Sequence, residues 1–351
     1  MIGCLNSTSA LIGLSLAALK LLYRRKQYWH VRIVPKYQKV ITVNIMELIV
    51  VVGGNGFLGR HLVQELCKEY KVISVDNYLT SSDDNLLNHP NLSHVRHDII
   101  EKLDIEEPIK AIYHMASPAS PVDYFKYPLE TMLVNSSGTL NLLNLAKEKQ
   151  ARFILLSTSE VYGDPLQSPQ SENYFGNVNP VGPRSVYDEG KRYAEALTNL
   201  YNQELSVDTV ILRVFNTYGP GMRLTDGRVV PAIINAIISN QLIPVQGDGK
   251  QLRSFCYVGD LTQALVKTLE SKNPGPINIG SNQEITILQL VEIIKKIAKS
   301  DNEINHLEAR VEDPSNRCPE LTKAKTYLDW EPSTSLEEGV RLTLKSYGLD
   351  I

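Results

Sequence analysis

The sequence predicts an α/β fold in which a doubly wound parallel sheet is followed by a smaller C-terminal region. From Met46 onward, short runs of apolar residues alternate with longer amphipathic stretches. The short runs are continuously apolar, which is typical of parallel strands covered by helices on both faces. After Phe215 this alternation weakens, and glycine and proline become frequent at 218–221, 246–249 and 274–276. The change of pattern predicts that a second region begins there.

Each predicted element has its own signal. The predicted strands are short apolar runs that end at polar or turn-forming residues. They are Leu48–Val52, Val72–Val75, Ala111–His114, Phe153–Ser157 and Thr209–Val214. The predicted helices repeat apolar residues at the spacing of one helix face, and they lie near Leu58–Glu69, Pro128–Lys147 and Val186–Glu204. Alternation of this kind places the strands in one sheet with helices on either side.

The composition is typical of a globular protein, because 43% of the 351 residues are hydrophobic and 21% are charged. It excludes a disordered chain, a collagen-like chain and a multi-spanning membrane protein. The formal net charge is −3, so no overall basic field favours nucleic acid as a partner. The cysteines form no C-x-x-C pair and predict neither a disulfide framework nor a zinc site, and we expect no metal. They are Cys4, Cys67, Cys256 and Cys318.

Residues 1–46 form a separate N-terminal extension, which contains no Asp or Glu. An apolar run at 8–23, interrupted by Lys20, is followed by basic residues at 24–26. The extension could be a membrane anchor, although the run is shorter than the ~20 residues that span a bilayer. It could also be an organelle-targeting segment, or a disordered extension ahead of a natural start at Met46. We expect a cytoplasmic protein, with anchoring in the Golgi or endoplasmic reticulum membrane or organelle targeting as alternatives, and membrane contact only through this extension.

A glycine-rich turn follows the first predicted strand, with the sequence GGNGFLG at 53–59. Glycines permit unusual backbone angles and let the backbone approach a pyrophosphate, while the following helix offers unpaired N–H groups. A strand before the turn and a helix after it are the context that a dinucleotide-binding turn requires. The turn therefore predicts a Rossmann-like sheet that binds a dinucleotide.

Asp76 ends the next strand, twenty residues after Gly56. A carboxylate at this place can accept a hydrogen bond from the adenosine ribose 2′-OH and would repel a 2′-phosphate. The sequence therefore predicts NAD rather than NADP as the cofactor.

Three residues predict redox chemistry on a hydroxyl group. Tyr187 and Lys191 are four residues apart, so on a helix they lie one turn apart on the same face. An ammonium beside a phenol stabilises the phenolate and is expected to lower its pKa. Tyr187 could then take a proton from a sugar hydroxyl while NAD takes the hydride, and Lys191 could reach the nicotinamide ribose. Thr158, at the end of a predicted strand, would hydrogen-bond the reacting oxygen.

These features resemble the extended short-chain dehydrogenase/reductases that act on nucleotide sugars, and more specifically the UDP-glucuronate decarboxylase (UDP-xylose synthase) family. The resemblance covers about residues 46–348. It is carried by HMASPASP at 114–121, STSEVYGDP at 157–165, NPVGPRSVYDEGKR at 179–192, FNTYGPGM at 215–222, DGRVVP at 226–231, NRCPELTKAK at 316–325 and LDWEP at 328–332.

The resemblance implies transient oxidation of the sugar C4 hydroxyl, loss of CO2 and re-reduction by the same NAD, which converts UDP-glucuronate into UDP-xylose. Related dehydratases have an Asp after the catalytic Thr, but this chain has Ser159, and a hydroxyl is too weak an acid to expel water. A ketone β to the carboxylate, in contrast, allows CO2 to leave without such an acid. The resemblance also implies that Glu160 positions the sugar or a water and that Arg317 holds the carboxylate or orients the sugar ring.

The resemblance also implies the residues that bind cofactor and substrate. Besides Tyr187 and Lys191, the implied cofactor contacts are Gly53, Gly56, Phe57, Leu58, Gly59, Asp76, Asn77, Asp98, Ile99, Met115 and Ser117. The implied contacts to the UDP-sugar are Tyr124, Asn216, Arg223, Arg228, Arg253 and Arg317. The same resemblance assigns residues 47–216 to an NAD-binding domain and residues 217–351 to a substrate-binding region, of which some segments return to the first domain. The helices near 128–147 and 186–204 resemble a pair that forms a homodimer through a four-helix bundle.

The chain departs from the family pattern at three places. Val52 replaces a Thr, Ser81–Asp84 replaces a Gly followed by basic residues, and Leu133 replaces a Lys near the substrate. The effect of the last two on substrate range stays open. Two other functions also stay open, a UDP-sugar 4-epimerase with the same Tyr187 chemistry and a non-catalytic NAD-binding scaffold.

Overall fold

A seven-stranded parallel sheet forms the centre of the computed structural model, which describes residues 46–84, 86–309, 314 and 316–351. Its strands are β1 (Leu48–Val52), β2 (Lys71–Asp76), β3 (Leu92–Arg96), β4 (Ala111–His114), β5 (Arg152–Thr158), β6 (Thr209–Val214) and β11 (Ile277–Ile279). Their order in the sheet is β3-β2-β1-β4-β5-β6-β11. The predicted parallel doubly wound sheet is therefore confirmed. The apolar run at 8–23 lies outside the described residues.

Strand β1 shows why these runs are continuously apolar. Ile49 and Val51 belong to one hydrophobic cluster, and Val50 and Val52 belong to another on the opposite face of the sheet. Because successive side chains of a strand point to opposite faces, both sets must be apolar when helices cover both faces.

The helices pack on this sheet or within the C-terminal part, and those that were predicted lie close to their predicted bounds. They are α1 (Phe57–Leu66), α2 (Pro121–Lys126), α3 (Pro128–Leu133), α4 (Thr139–Lys149), α5 (Ser185–Leu205), α6 (Val229–Ile238), α7 (Val258–Lys267), α8 (Ile287–Ala298), α9 (Thr322–Leu328) and α10 (Leu336–Ser346). No helix formed by the residues that the structure describes is long and apolar enough to cross a membrane.

The predicted helix at 128–147 differs in detail, because a π-helical turn over Val134–Gly138 separates α3 from α4. Within and next to this π-helical turn, side chains donate hydrogen bonds to backbone carbonyls four residues earlier. The π-helical turn divides the predicted helix into the two segments α3 and α4. Asn135 Nδ2 donates to the Thr131 carbonyl at 2.8 Å, and Thr139 Oγ1 donates to the Asn135 carbonyl at 2.9 Å.

The C-terminal residues form smaller sheets, and some of them return to the central sheet. Strand β8 (Ile243–Gln246) pairs with β13 (Ile304–Leu307), and β7 (Thr217–Tyr218) pairs with β10 (Cys256–Tyr257). A third small sheet has the order β12-β9-β14, formed by Glu284–Thr286, Leu252–Ser254 and Asn316–Arg317. Helix α7 packs on α1, and β11 is the last strand of the central sheet.

The carboxyl ends of β1, β4, β5 and β6 meet at one edge of the central sheet, because the strands are parallel. Ligands of open parallel sheets bind outside this edge. Two cavities lie there, a larger one of about 440 Å³ and a smaller one of about 100 Å³.

Candidate active site

The turn between β1 and α1 has a backbone that only glycine can adopt without strain. Gly53 has a φ of 78°, and a Cβ atom there would lie 2.7 Å from the backbone nitrogen of Ala116. A Cβ atom at Gly59 would meet the backbone of Gly53 and Gly54. The turn is therefore packed tightly against the end of β4 and against its own helix.

The N-terminus of α1 suits an anionic group. Gly56 precedes Phe57 as the N-cap residue, and no side chain caps the helix there. The first N–H groups of a helix without such a cap point outward and carry partial positive charge. Gly53 and Gly56 line the smaller cavity, while Phe57 and Leu58 line the larger one. The turn lies between the two cavities, where the pyrophosphate of a dinucleotide would fit.

The smaller cavity is acidic. Asp76, Asn77, Asp98 and Ile99 all line it, and Asn77 Nδ2 donates to Asp98 Oδ2 at 2.9 Å. No Lys or Arg belongs to its lining among the residues that the structure describes. Such a cavity suits a ribose with free hydroxyls and disfavours a 2′-phosphate.

Three donors hold the carboxylate of Asp76 in place. The backbone N–H of Asn55 donates to Oδ2 at 3.0 Å, while the Tyr78 N–H and the Ser81 hydroxyl each donate to Oδ1 at 2.9 Å. Ser81, part of a departure from the family pattern, thus supports the acidic residue that was predicted to bind ribose.

Tyr187 and Thr158 are brought together at the wall of the larger cavity. Thr158 is the last residue of β5, and Tyr187 lies in the first turn of α5. Both residues line the cavity, and the Thr158 hydroxyl lies close enough to the Tyr187 phenol to act on its pKa. Met115 and Ser117, which follow β4, line both cavities. A nicotinamide ring beside Met115 would therefore approach the Tyr187 phenol.

The prediction that the pKa of Tyr187 is lowered is wrong when only the protein groups are considered. Burial raises the pKa of Tyr187 above its ordinary value, and the Glu160 carboxylate adds to this, although Thr158 and Arg228 oppose it. Lys191 is itself buried, and its Nζ donates to the Leu156 carbonyl at 2.9 Å. Burial lowers the pKa of Lys191 to about 8. A positively charged cofactor next to the phenol would favour the phenolate.

Glu160 lies between two arginines. Arg317 Nη2 donates to its carboxylate at 3.0 Å, and Arg184 forms a second ion pair with the same oxygen. Burial would raise the pKa of Glu160, but Arg317 and Arg184 lower it to about 2. Glu160 is therefore ionised at neutral pH and can accept hydrogen bonds from a sugar or a water, but it cannot act as an acid.

Arg317 forms several hydrogen bonds within the protein, which the sequence did not predict. It is 1% exposed, and its Nη1 donates to the Gly163 carbonyl while Nη2 and Nε contact Glu160. Its guanidinium orients Glu160, so a sugar carboxylate could reach it only in competition with that residue.

The predicted substrate contacts divide into two groups. Tyr124, Asn216, Arg228 and Arg253 line the larger cavity together with Arg317. Arg223 does not line it, because its guanidinium forms an ion pair with Asp123. This pairing joins residues that are 100 apart in the chain, and no pattern in the sequence predicts it.

Leu133 occupies a different place from the one that the family pattern implied. It lines the smaller cavity, together with Glu130 and Val134, and not the larger one. Its substitution for Lys therefore changes the wall of the predicted adenosine side rather than the sugar side.

Arg184 and Asn135 belong to the site but had no predicted role. Arg184 lines the larger cavity, as does Ser159, whose weak acidity was part of the prediction. Asn135 is fully buried, and its Nδ2 donates to Ser117 Oγ at 3.0 Å. Its Oδ1 has no hydrogen-bond partner among the described residues. Arg184 precedes Tyr187 by one helical turn, so the spacing could have indicated it.

Comparison with known proteins identifies the family of this chain. A model of the NAD-dependent epimerase/dehydratase family matches residues 49–280. The chain belongs to this family. Similar curated proteins include UDP-glucuronic acid decarboxylase 6 of Arabidopsis thaliana, which is 47% identical over 306 residues, covering 86% of this chain and 89% of that protein. UDP-glucuronic acid decarboxylase 1 of Xenopus tropicalis is 44% identical over 300 residues, covering 84% of this chain and 71% of that protein.

Solved structures of epimerase/dehydratase proteins share the fold. A UDP-N-acetylglucosamine 4-epimerase from Methanobrevibacter ruminantium M1 has a TM-score of 0.79 at 29% identity, covering 86% of this chain and 98% of that one. A UDP-glucuronic acid 4-epimerase from Bacillus cereus, in complex with UDP-glucuronic acid and NAD, has a TM-score of 0.75 at 27% identity, covering 85% and 98%. The predicted family resemblance, enzyme class and NAD cofactor are confirmed.

Proposed function

We propose that this protein converts UDP-glucuronate into UDP-xylose by oxidation at C4, loss of CO2 and re-reduction. The observation that carries the proposal is that Tyr187, Thr158 and an ionised Glu160 line one cavity. The decarboxylases at 42–48% identity support the same reaction. The proposal includes an NAD-binding part at 47–216 and a substrate-binding part at 217–351.

The glycine turn at 53–59 and Asp76 would hold the two ends of the adenosine diphosphate of NAD, and Lys191 would hold its nicotinamide ribose. Bound NAD supplies a hydride acceptor that also returns the hydride, so that the cycle is redox-neutral. A tightly held cofactor would then need no separate reductant.

Tyr187 acts on the C4 hydroxyl as the general base in this proposal. Its phenolate takes the hydroxyl proton, and the Thr158 hydroxyl donates a hydrogen bond to the same oxygen. At the end of the cycle Tyr187 returns the proton to O4. The protein groups alone raise the pKa of Tyr187. Formation of the phenolate would therefore require the positive charge of the oxidised nicotinamide ring of NAD nearby.

Loss of CO2 follows from the position of the carbonyl group. The carboxylate at C6 is β to the ketone at C4, so the bond between C5 and C6 breaks and its electron pair moves into an enolate at C4 and C5. Donors from Thr158 and Tyr187 stabilise the oxygen of this enolate. Ser159 places no strong acid beside C6, which disfavours loss of water. A proton from water adds at C5 and gives the 4-keto-pentose. Return of the hydride to C4, with the Tyr187 proton on O4, then gives the pentose.

Arginines on the larger cavity would bind the negative charges of the substrate. Arg253 and Arg228 line this cavity, and a guanidinium matches the geometry of phosphate oxygens. Arg228 Nη2 also donates to Asp226 at 2.7 Å, which fixes its direction. We assign Arg253 and Asn216 to the diphosphate and Tyr124 to the sugar.

We also propose a homodimer through a four-helix bundle. Helices α3 and α4 pack against α5. Large apolar side chains are exposed on α3 and on α5: Leu129 of α3 is 65% exposed, and Tyr193 and Leu200 of α5 are 52% and 48% exposed. Exposed apolar groups of this kind on neighbouring helices are typical of a protein interface. A cytoplasmic location, or attachment to a membrane through residues 1–46, completes the proposal.

The test is to incubate the purified full chain with UDP-glucuronate, without added NAD, and to measure the product by mass spectrometry and released CO2. A UDP-pentose with loss of one CO2 supports the proposal and shows that NAD is retained. A product of unchanged mass and changed C4 configuration would indicate a 4-epimerase instead. An unchanged substrate, also after addition of NAD, would indicate a non-catalytic scaffold.

A further inference from the structure

Arg184 stands at the junction between the catalytic helix and the sugar-facing wall. It is the N-cap residue of α5, three residues before Tyr187, and its side chain is only 12% exposed. Its guanidinium contacts two carboxylates, through an ion pair with Glu160 and an approach of 3.8 Å between Nε and Asp188 Oδ2. The side chain also lines the larger cavity.

The two carboxylates would repel each other without Arg184. Asp188 is on α5 next to Tyr187, and Glu160 is in the 3-10 turn that follows Thr158. Both are buried or nearly so, where charge repulsion is weakly screened by water. A guanidinium between them offsets this repulsion and joins the β5 turn to the start of α5.

Arg317 also holds the Glu160 carboxylate, from a different element of the fold. It is on β14, which pairs with β9 in the register Arg317 to Arg253. Arg317 therefore connects Glu160 to the C-terminal part, while Arg184 connects it to the helix of Tyr187. With both arginines in place, one carboxylate oxygen of Glu160 is held twice, and its direction relative to Tyr187 is fixed.

We propose that Arg184 is a positioning residue, which acts through Glu160 by fixing the direction and the charge of this carboxylate beside the sugar. This inference rests on the proposed function, and it adds a residue that neither holds the cofactor nor takes the proton. Arg184 can have this effect without touching the substrate, because it contacts Glu160 and Asp188 directly.

The charged groups around Glu160 determine the pH dependence that follows. They are Arg317 on β14, Arg253 on β9, and Arg184, Tyr187 and Asp188 at the start of α5. Burial and the Glu160 carboxylate together raise the pKa of Asp188 to about 7, against the opposing effect of Arg184. Removal of Arg184 should therefore raise the pKa of Glu160 and of Asp188. An activity that requires ionised Glu160 should then be lost at a higher pH as the solution is acidified.

The experiment is a double-mutant cycle on the full-length enzyme with NAD bound. Wild type, Arg184→Gln, Arg184→Lys, Glu160→Gln and the double variant Arg184→Gln/Glu160→Gln are compared for kcat, KM and the pH profile of CO2 release. Arg341→Gln is the control, because Arg341 is a half-exposed arginine on α10. Circular dichroism and cofactor content show that each variant is folded.

We expect Arg184→Gln to lower kcat about 100-fold, as misplacement of a catalytic group does, with little change in KM. Arg184→Lys should give a smaller loss, because Lys retains the charge but not the fork geometry. Glu160→Gln should make Arg184→Gln nearly silent, with a further loss of about twofold or less. The acid limb of the profile should move to higher pH in Arg184→Gln.

Three results would overturn this inference. One is a full 100-fold loss from Arg184→Gln in the Glu160→Gln background, since Arg184 would then act independently of Glu160. Another is an increase in KM with unchanged kcat, which would make Arg184 a substrate ligand. The third is an acid limb at the same pH as in wild type.

Failure of the proposed function would be recognised separately. If wild type epimerises UDP-glucuronate, the same cycle is measured on that reaction. If wild type does not turn over, the pKa of Glu160 is measured by NMR of ¹³C-carboxyl-labelled glutamate, with Glu160→Gln as the assignment control. A higher pKa in Arg184→Gln supports the inference, and an unchanged pKa contradicts it.

Discussion

Tyr124 lies face to face with Tyr187, with the ring centroids 5.3 Å apart and the ring planes 9° from parallel. Tyr124 belongs to α2 and is 1% exposed, whereas Tyr187 belongs to α5. The flat contact limits the directions in which the Tyr187 phenol can point. The short helix α2 therefore helps to orient the proposed base.

We expect Tyr124→Leu to lower kcat by about tenfold, because loss of an aromatic contact worth about 0.5–1.5 kcal/mol frees the Tyr187 ring. Tyr124→Phe retains the stacked ring and should stay much closer to wild type. Steady-state kinetics of CO2 release, with cofactor content as a folding control, test this. Equal losses in the two variants would show that the Tyr124 hydroxyl matters rather than the ring.

Lys191 should make stability depend on pH above neutrality. Burial lowers its pKa from 10.5 to about 8 in the folded protein, although Glu195 opposes the shift. Between these values the unfolded chain holds more protons than the folded one, so the contribution of Lys191 to the free energy of unfolding rises with pH.

We therefore expect the unfolding free energy of wild type, minus that of Lys191→Met, to increase from pH 8 to pH 10 in urea titrations. Lys68→Met is the control, because Lys68 is an exposed lysine on the surface. A difference that is constant over this range would contradict the shifted pKa.

Asp76→Ala should weaken NAD binding by tenfold or more, about 1.4 kcal/mol, because the ribose loses its acceptor. The same change removes negative charge that opposes a 2′-phosphate, so the preference for NAD over NADP should decrease. Calorimetry with both cofactors on the cofactor-stripped protein measures this. Asp76→Asn controls for the three donors that Asp76 accepts, and unchanged NAD affinity in Asp76→Ala would rule out the ribose assignment.

Leu200→Glu should convert the proposed dimer into a monomer, because a carboxylate without a partner would be buried at the interface. Light scattering after size exclusion measures the mass. Tyr327→Glu on α9 is the matched control, since Tyr327 is 47% exposed but lies outside the proposed bundle. A mass that is the same in wild type and Leu200→Glu would exclude α5 as the interface.

Residues whose partners are close in the chain could be predicted from the sequence. Strand β1 was predicted with the bounds Leu48–Val52 because a run that is buried on both faces must be apolar and must end where the glycine turn begins. Tyr187 and Lys191 were placed on one helix face by their spacing alone. The nucleotide preference followed from Asp76 in the same way.

Residues whose partners are distant in the chain could not be predicted. Glu160 and Arg317 are 157 residues apart, and Arg223 and Asp123 are 100 apart. Only the fold brings these charges together, so the sequence indicated charged residues without showing which of them neutralise each other. The pKa of Tyr187 was misjudged for a related reason, because the effect of burial depends on the surrounding packing.

The register between β9 and β14 sets the distance between two arginines of the proposed substrate site. Arg253 and Arg317 are opposite each other on these neighbouring strands, so their Cα atoms are held about 5 Å apart by backbone pairing. In the proposed function, Arg253 binds the diphosphate and Arg317 orients Glu160 at the sugar. Because the separation of these two positions is fixed, the substrate fits only if the linker between its nucleoside and its sugar has the matching length. A sugar joined to its nucleoside through a single phosphate would be shorter and would then reach only one of the two positions.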